Sequence, residues 1–455
     1  MKQNKIDMTD GPIVAKLVAF SFPLILSSVL QLLFNAADIV VVGRFAGDNS
    51  LAAVGSTSSL INLLVNLFLG LSIGTNVVAA NYFGAKKQKD LHDTVHTAVL
   101  LSIYSGIILT VVGVIGAKRI LRLMMAPEEV LVLASLYLKI YFGGITATMV
   151  YNFGSALLRA KGDTRRPLYI LFIAGVINVI LNLFFVIVFK MDVAGVALAT
   201  VISQTFSAVM VIILLVREKD DFHLDLKKLQ INRDILFRIM KIGLPAGFQG
   251  IMFSFSNVII QSSVNSFGSI VIAGNSAAQN IEGFVYISMN GFSQGVLTFA
   301  GQNMGAGKRD RIKKIAIYSQ VLIIIVGLVL GNLTFLFARP LLSIYSKNPE
   351  VIAAGTLRLK VICTLYFLCG IMDVMGNLIR GIGHSLAPMI VTIFGVCIFR
   401  LIWIFTVFQI PAFHTMECLL ISYPISWFTG WAIHCVCFFV IWRKDPRTVE
   451  ERCRR

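Results

Sequence analysis

Charge is what this sequence has least of. Asp, Glu, Lys and Arg make up 14% of its 455 residues, where a soluble domain carries about 25%. A chain so poor in charge cannot cover a globular surface with solvated groups. Acid is scarcer than base: 23 Asp and Glu stand against 40 Lys and Arg, a net charge of +17. Cysteine is sparse, with seven in all, and those in the apolar runs (Cys363, Cys369, Cys397, Cys435, Cys437) read as packing residues. No CxxC or Cys/His metal spacing occurs, so neither a disulfide framework nor a zinc module is expected. The P-loop pattern GxxxxGK[ST] is missing, and the Gly-containing basic stretches NYFGAKK and QNMGAGKRD follow no strand. No ATP site is expected. HExxH, DDxxD and nucleophile motifs are missing as well, so the chain does not read as an enzyme.

What is present is long apolar runs. Hydrophobic residues make up 57% of the chain, and mean hydropathy is +0.82. Runs over roughly 14–43, 51–81, 94–117, 130–158, 167–189, 194–216, 240–267, 271–303, 315–338, 351–379, 386–410 and 418–442 are long enough to cross a bilayer as helices. The strand-type alternation of an outer-membrane barrel is absent. The expected fold class is an all-α polytopic membrane protein with twelve transmembrane helices. Met1 to Asp10 is polar and the first run spans, so no cleavable signal is read.

The basic residues sit in short loops between runs. One side of the membrane carries Lys86, Lys87 and Lys89, then Arg159 to Arg166, the 217–241 loop, Lys308 to Lys314 and the tail from Arg443. The other side carries few, with Lys118 to Arg122 as the local exception. The positive-inside rule makes the first side cytoplasmic, with both termini inside. This placement explains the net charge without nucleic acid, and the expected partner is the lipid bilayer. The 217–241 loop alternates apolar and charged residues and reads as a strand-like or amphipathic segment lying on the membrane.

Two halves share one register. LLRAKGDTRRP begins at Leu157 and LIRGIGHSLAP at Leu378, so Arg159, Gly162 and Pro167 recur as Arg380, Gly383 and Pro388 at one constant shift. The same shift relates Gly70 and Gly74 to Gly291 and Gly295; in the first span it grows by one, pairing Pro23 with Pro245 and Asn35 with Asn257. Six spans repeated by six more enter the membrane in one orientation, giving two parallel six-helix repeats. The expected division is a lobe over 1–216, a cytoplasmic linker over 217–239, a second lobe over 240–442 and a basic tail over 443–455. The duplication makes a monomer sufficient.

Polar residues inside the spans are candidate sites, because an ionisable group in lipid is costly and by default marks a pathway. The first span holds Asp38, with Asn35, Gln31 and Ser27 on its helical face and Pro23 able to bend the helix. The alternative is an aspartate near the helix end that reaches water. Asn62, Asn178, Asn182, Thr200 and Gln204 add amide and hydroxyl oxygens in the first half. Together they could cage a proton or Na⁺, with Asp38 and Asn178 as the metal ligands. The other reading of each amide is a simple interhelical hydrogen bond. In the second half Glu282 and Asp373, aided by aromatics such as Tyr286 and Tyr366, read as an anionic patch attracting an organic cation. Arg400 reads either as part of that cleft or as the counter-ion of one of these acids.

These features together resemble the multidrug and toxic compound extrusion (MATE) family of bacterial transporters over nearly the whole chain. The resemblance rests on Pro23 with Gln31, Asn35 and Asp38, on GRFAGDNSLAAVG, on QNMGAGK and on the paired Arg-Gly-Pro segments. It implies a secondary antiporter in the bacterial plasma membrane. Such a protein exports organic cations or amphipathic drugs in exchange for H⁺ or Na⁺, by alternating access and without another cofactor. It implies that Asp38 is the central cation-coupling residue, with Asn178, Asn182 and Thr200 beside it and Pro23 at a bend. Asn182 stands where many relatives have a second Asp, and Phe253 falls near the place of a family Glu. The alternative is a flippase for lipid-linked saccharides, which needs basic residues in the cleft; Arg400, Lys139, Arg358 and Lys360 are its candidates.

Overall fold

A computed structural model describes residues 6–123 and 128–444. The tail beyond Lys444 lies outside the described residues. Every regular element among the described residues is helical. In lipid each backbone N–H and C=O must be bonded within its own segment, and apolar runs of this length meet that demand as helices.

The first half comprises α1 (Ile13–Phe45), α2 (Asp48–Gly84), α3 (Gln88–Leu123), α4 (Glu128–Gly143), α5 (Ile145–Ala160), α6 (Arg165–Leu183) and α7 (Asp192–Arg217). The second comprises α8 (Arg233–Asn265), α9 (Ser269–Gly305), α10 (Arg309–Leu336), the short α11 (Ala338–Ser343), α12 (Pro349–Thr364), α13 (Phe367–Gly381), α14 (Leu386–Thr392), α15 (Phe399–Phe405) and α16 (Met416–Lys444). Nine helices among the described residues are long and apolar enough to span a membrane, and the bent pairs α4–α5 and α12–α13 bring the number to eleven. The twelfth rod is α9, with 37 residues. Its Asn275, Gln279, Asn280, Glu282 and Asn290 make it more polar than the rest. Apolar side chains such as Ile115 (79% exposed) and Leu336 (72%) face outward, an arrangement suited to lipid and costly in water.

The duplication is written into the backbone. Left-handed turns at Gly47 (φ 82°), Lys86 (55°) and Gly162 (97°) recur, at the shift that relates the two halves, as Gly268 (87°), Gly307 (69°) and Gly383 (100°). The fourth and tenth runs, expected as single spans, are each broken and bent, by 46° and 45°. No proline marks either break. At Gly144 the cause is packing: a Cβ there would stand 2.3 Å from Val201 Cγ1 on α7.

The chain forms two compact units. One holds Met1–Thr9, Phe22–Gly247 and Gly305–Gly307; the other holds Asp10–Ser21, Phe248–Met304 and Lys308–Arg455. Both changes of unit within a first-of-half helix fall beside an internal proline. In α1 the change follows Ser21, next to Pro23, and in α8 it follows Gly247, next to Pro245. In the first unit, α8 approaches α2 backbone to backbone. A Cβ on Gly70 would stand 2.2 Å from Gly247 N, and one on Gly74 2.4 Å from Ile239 O. In the second unit α9 meets α1 at the corresponding glycine through side chains: a Cβ on Gly295 would stand 2.3 Å from Ser21 Oγ.

The segment after α7 departs from its expected form. It is not strand-like but a chain of turns packed within the first unit. Phe222 and Leu224 are fully buried, and Phe222 packs edge-on against Phe83 at 5.5 Å. Lys161 Nζ pairs with Glu218 and lies 2.7 Å from Asp220 Oδ2. Arg166 Nη1 donates to Glu218 Oε1 at 2.5 Å. Burial pushes the Glu218 carboxyl up, but the hydrogen bonds from Lys161 and Arg166 outweigh it and hold the group below its ordinary value. The alternation of apolar and charged residues came from turns that bury Phe222 and Leu224 while the charges pair.

Candidate functional site

Repeat-related faces of α1 and α8 each line a cavity. In the first unit Gln31, Phe34, Asn35 and Asp38 of α1 meet Gly175 and Asn178 of α6 and Thr200 and Gln204 of α7 around a space of about 50 Å³. α1 can lie this close to α6 because Gly175 has no side chain; a Cβ there would overlap the Phe34 ring at 1.8 Å.

The polar contacts form a chain. Asn182 Nδ2 donates to Asp38 Oδ1 and, at 3.2 Å, to Asn178 Oδ1. Asn178 Nδ2 reaches Thr200 Oγ1 at 3.4 Å, and the Thr200 hydroxyl donates to Val196 O at 3.0 Å. Asn178 and Asn182 are buried. Asn182 Oδ1 and Gln204 Oε1 are buried acceptors with no donor among the described residues. Asn182 lies on the last turn of α6, directly before a π-helical turn over Phe184–Val188, a distortion that recurs at functional positions. The space is too small for an organic ligand of drug size, which needs roughly 300 Å³ or more. It suits one small ion or one water, whose share of liquid volume is about 30 Å³. The donors are oxygens, as a hard cation requires, and only Asp38 among them carries formal charge. No group of three or more His, Cys, Asp or Glu that could hold a metal occurs among the described residues.

The second unit has a cavity of about 500 Å³. Phe253, Asn257 and Ile260 of α8 line it, and these are the repeat counterparts of Gln31, Asn35 and Asp38. Gln261 of α8, Gln279, Glu282 and Tyr286 of α9, Arg358 of α12, Tyr366 and Cys369, and Tyr423 and Trp427 of α16 also line it.

The expected anionic patch is not there. Arg358 clasps Glu282 with Nε at 3.1 Å and Nη2 at 2.5 Å, and its Nη1 donates to Asn275 Oδ1 at 2.8 Å. The pair is buried and its charge is cancelled within the wall. Asp373 lines neither cavity, although it stands within electrostatic reach of Tyr286 and Arg380. Arg400 is not a counter-ion. It makes no ion pair among the described residues, and its Nε donates to Ser426 Oγ at 2.9 Å. The remaining expected residues separate. Asn62 is exposed on α2 and lines neither cavity. Pro23 is buried in α1, where its carbonyl accepts from Ser27 Oγ at 2.8 Å. The sequence reading named Tyr286 and Tyr366 but missed the role of Arg358 and the part of Tyr423 and Trp427 in the wall; the signal for Arg358 was an arginine inside the tenth apolar run.

The fold therefore defines a multi-pass helical membrane protein built from a duplicated six-helix unit with an ion-sized polar site in one copy. The MatE family model matches it twice, over residues 23–184 and 245–406, and the chain belongs to that family of transporters. It is 29% identical over 384 residues to the "Probable multidrug resistance protein YoeA" of Bacillus subtilis (strain 168), covering 83% of each chain. To the "Probable multidrug resistance protein NorM" of Thermotoga maritima it is 25% identical over 406 residues, 88% of this chain and 87% of that one. Its backbone superposes with a TM-score of 0.88 on a crystal structure described as MATE in the bent conformation, at 20% identity over 100% of this chain and 99% of that one.

Proposed function

We propose that this protein is a secondary active exporter that moves small amphipathic molecules out of the cell in exchange for H⁺ or Na⁺. The observation that carries the reading is the Asp38 site: one carboxylate inside a membrane helix, held by Asn182, in an oxygen-lined space of about 50 Å³. The cycle is alternating access. An ion from outside binds at Asp38 and neutralises it. The amide chain through Asn182, Asn178 and Thr200 then rearranges, and α1 bends near Pro23, where the missing backbone donor makes bending cheap. Cargo leaves outward, and the ion is released inward. Were Na⁺ the coupling ion, Asp38, Asn178, Asn182, Thr200 and Gln204 would supply its oxygens. The multidrug resistance names of the relatives support an export direction. The basic loops support cytoplasmic termini in a bacterial plasma membrane.

A flippase for lipid-linked saccharides would need a cluster of basic residues to hold pyrophosphate, and of its candidates only Arg400 stands free beside a cavity. Arg358 is committed to Glu282, and Lys139 and Lys360 are exposed on their helices. The test is transport in proteoliposomes with a Na⁺ gradient and a pH gradient imposed separately, using a panel of amphipathic dyes of either charge. Dye movement driven by one of the gradients is expected. Equal movement with neither gradient would refute ion coupling.

A further inference from the structure

The two cavities differ in sign. In the first-half face α1 presents Asp38; its repeat counterpart is Ile260, apolar and buried. The reverse change occurs opposite. A π-helical turn over Ile393–Ile398 adds a residue before α15, so the repeat shift there equals that of the first span, the offset at which both family matches begin and end. At that shift Asn178, the amide beside Asp38, corresponds to Arg400. The duplicated site has lost its carboxylate and gained a guanidinium.

Arg400 is 1% exposed. Its guanidinium lies 4.1 Å from the Tyr423 ring centroid, 5.6 Å from that of Phe253 and 5.8 Å from that of Trp427. All three rings line the 500 Å³ cavity, so the cation stands directly behind its wall. Cation–π contact offsets only part of the cost of burying a charge. The two acids deep inside the spans of this half do not complete the compensation: Glu282 is clasped by Arg358, and Asp373 forms no ion pair with Arg400 among the described residues.

The unmet groups on this wall are donors. Arg400 Nη2 is buried and has no acceptor among the described residues, and the same holds for Nε1 of Trp427, which lines the cavity and is 3% exposed. The wall also carries a run of near-parallel rings: Tyr286, Tyr366 and Trp427 follow one another with centroids 6.5 Å and 5.3 Å apart and planes tilted by 26° and 23°. Parallel ring faces accept a planar ring. Unpaired donors beside a buried cation call for acceptors that carry negative charge.

We infer that the second-half cavity binds a planar aromatic carboxylate, with its ring along Tyr286, Tyr366 and Trp427 and its carboxylate toward Trp427 Nε1 and Arg400. As the cargo site of the exporter it rests on the function proposed above; as a binding site it stands alone. An organic cation would meet a wall that offers it no free carboxylate.

The test is calorimetric titration of the purified full-length protein with three ligands of one shape: 2-naphthoate, 2-naphthamide and 2-naphthylmethylammonium. The carboxylate is expected to bind at least about 10-fold more tightly than the amide, the scale of one charge-assisted hydrogen bond, with the ammonium weakest. Trp427→Phe keeps a ring and removes only the N–H. It should reduce the preference several-fold, and Arg400→Met should abolish it. Should Arg400→Met fail to fold, Trp427→Phe alone decides the matter. Equal affinities for the three ligands, tightest binding of the ammonium, or an unchanged preference in Trp427→Phe would overturn the inference. The titration repeated in Asp38→Asn should keep the preference, so failed ion coupling and failed anion binding are read separately.

Discussion

Arg358→Met should destabilise the protein far more than the double change Arg358→Met/Glu282→Leu. The wild-type pair is nearly dry, with side chains 3% and 10% exposed. Two charge-assisted bonds join it, at 3.1 Å and 2.5 Å, and a third bond at 2.8 Å ties Arg358 to Asn275. Removing the guanidinium alone strands a buried carboxylate, at a cost of about 3–5 kcal/mol. It also leaves the Asn275 carbonyl oxygen without its donor, a further ~1 kcal/mol or more. Glu282 faces a cavity that water can enter, so the lower end of that range applies. Removing both charges leaves two apolar side chains of similar volume, which is expected to fall within about 2 kcal/mol of wild type. The coupling energy should therefore exceed about 2 kcal/mol. Thermal unfolding of wild type, both single variants and the double variant, in one detergent at one pH, measures it. A coupling no larger than the scatter between independent sites, about 0.5 kcal/mol, would show that Glu282 is a solvated carboxylate, open to a cationic ligand. The account of the second cavity would then fail.

Other outcomes follow from the backbone and the segment after α7. Gly70→Val should strongly reduce folded yield and melting temperature, because its Cβ would stand 2.2 Å from a backbone nitrogen; a melting temperature within a degree of wild type would refute the tight α2–α8 crossing. Gly162→Ala and Gly383→Ala both force alanine into a left-handed conformation, at about 1–2 kcal/mol each. Gly162→Ala should cost more, since its Cβ meets Ile6 O at 2.5 Å while nothing lies near Gly383; comparing their melting temperatures tests this. Glu218 titrates below its ordinary value of 4.5 in the folded protein. Its stabilisation is therefore present above that value and is lost as pH falls through the lowered one. Protection from hydrogen exchange across 217–232, taken relative to the intrinsic rate at each pH, should fall in acid, and Glu218→Gln should show low protection already at neutral pH.

Much of this was legible in the chain. Apolar runs and basic loops gave the helices, because lipid leaves the backbone few alternatives. The constant register between the halves gave the duplication, and the structure repeats it in the paired left-handed turns. Helical spacing placed Gln31, Asn35 and Asp38 on one face, and that face lines the first cavity. Pairing across the fold was not legible. Glu282 and Arg358 lie on different helices, far apart in sequence, and nothing local says that one answers the other. Spacing also could not tell that Arg400 would lie among rings rather than beside Asp373. The bends at Gly144 and near Leu365 were hidden for a similar reason. They are set by what packs against the break, such as Val201, and carry no proline.

The central claim is that the carboxylate of Asp38 couples ion entry to export. It is tested most directly by reconstituting wild type and Asp38→Asn in vesicles and measuring dye transport under imposed Na⁺ and pH gradients. Asparagine keeps the shape and can still bond Asn182 but cannot take up a proton or carry the charge. The account predicts that gradient-driven transport falls by at least about 100-fold in Asp38→Asn, while its melting temperature stays near wild type. Wild-type rates from Asp38→Asn under either gradient would contradict it.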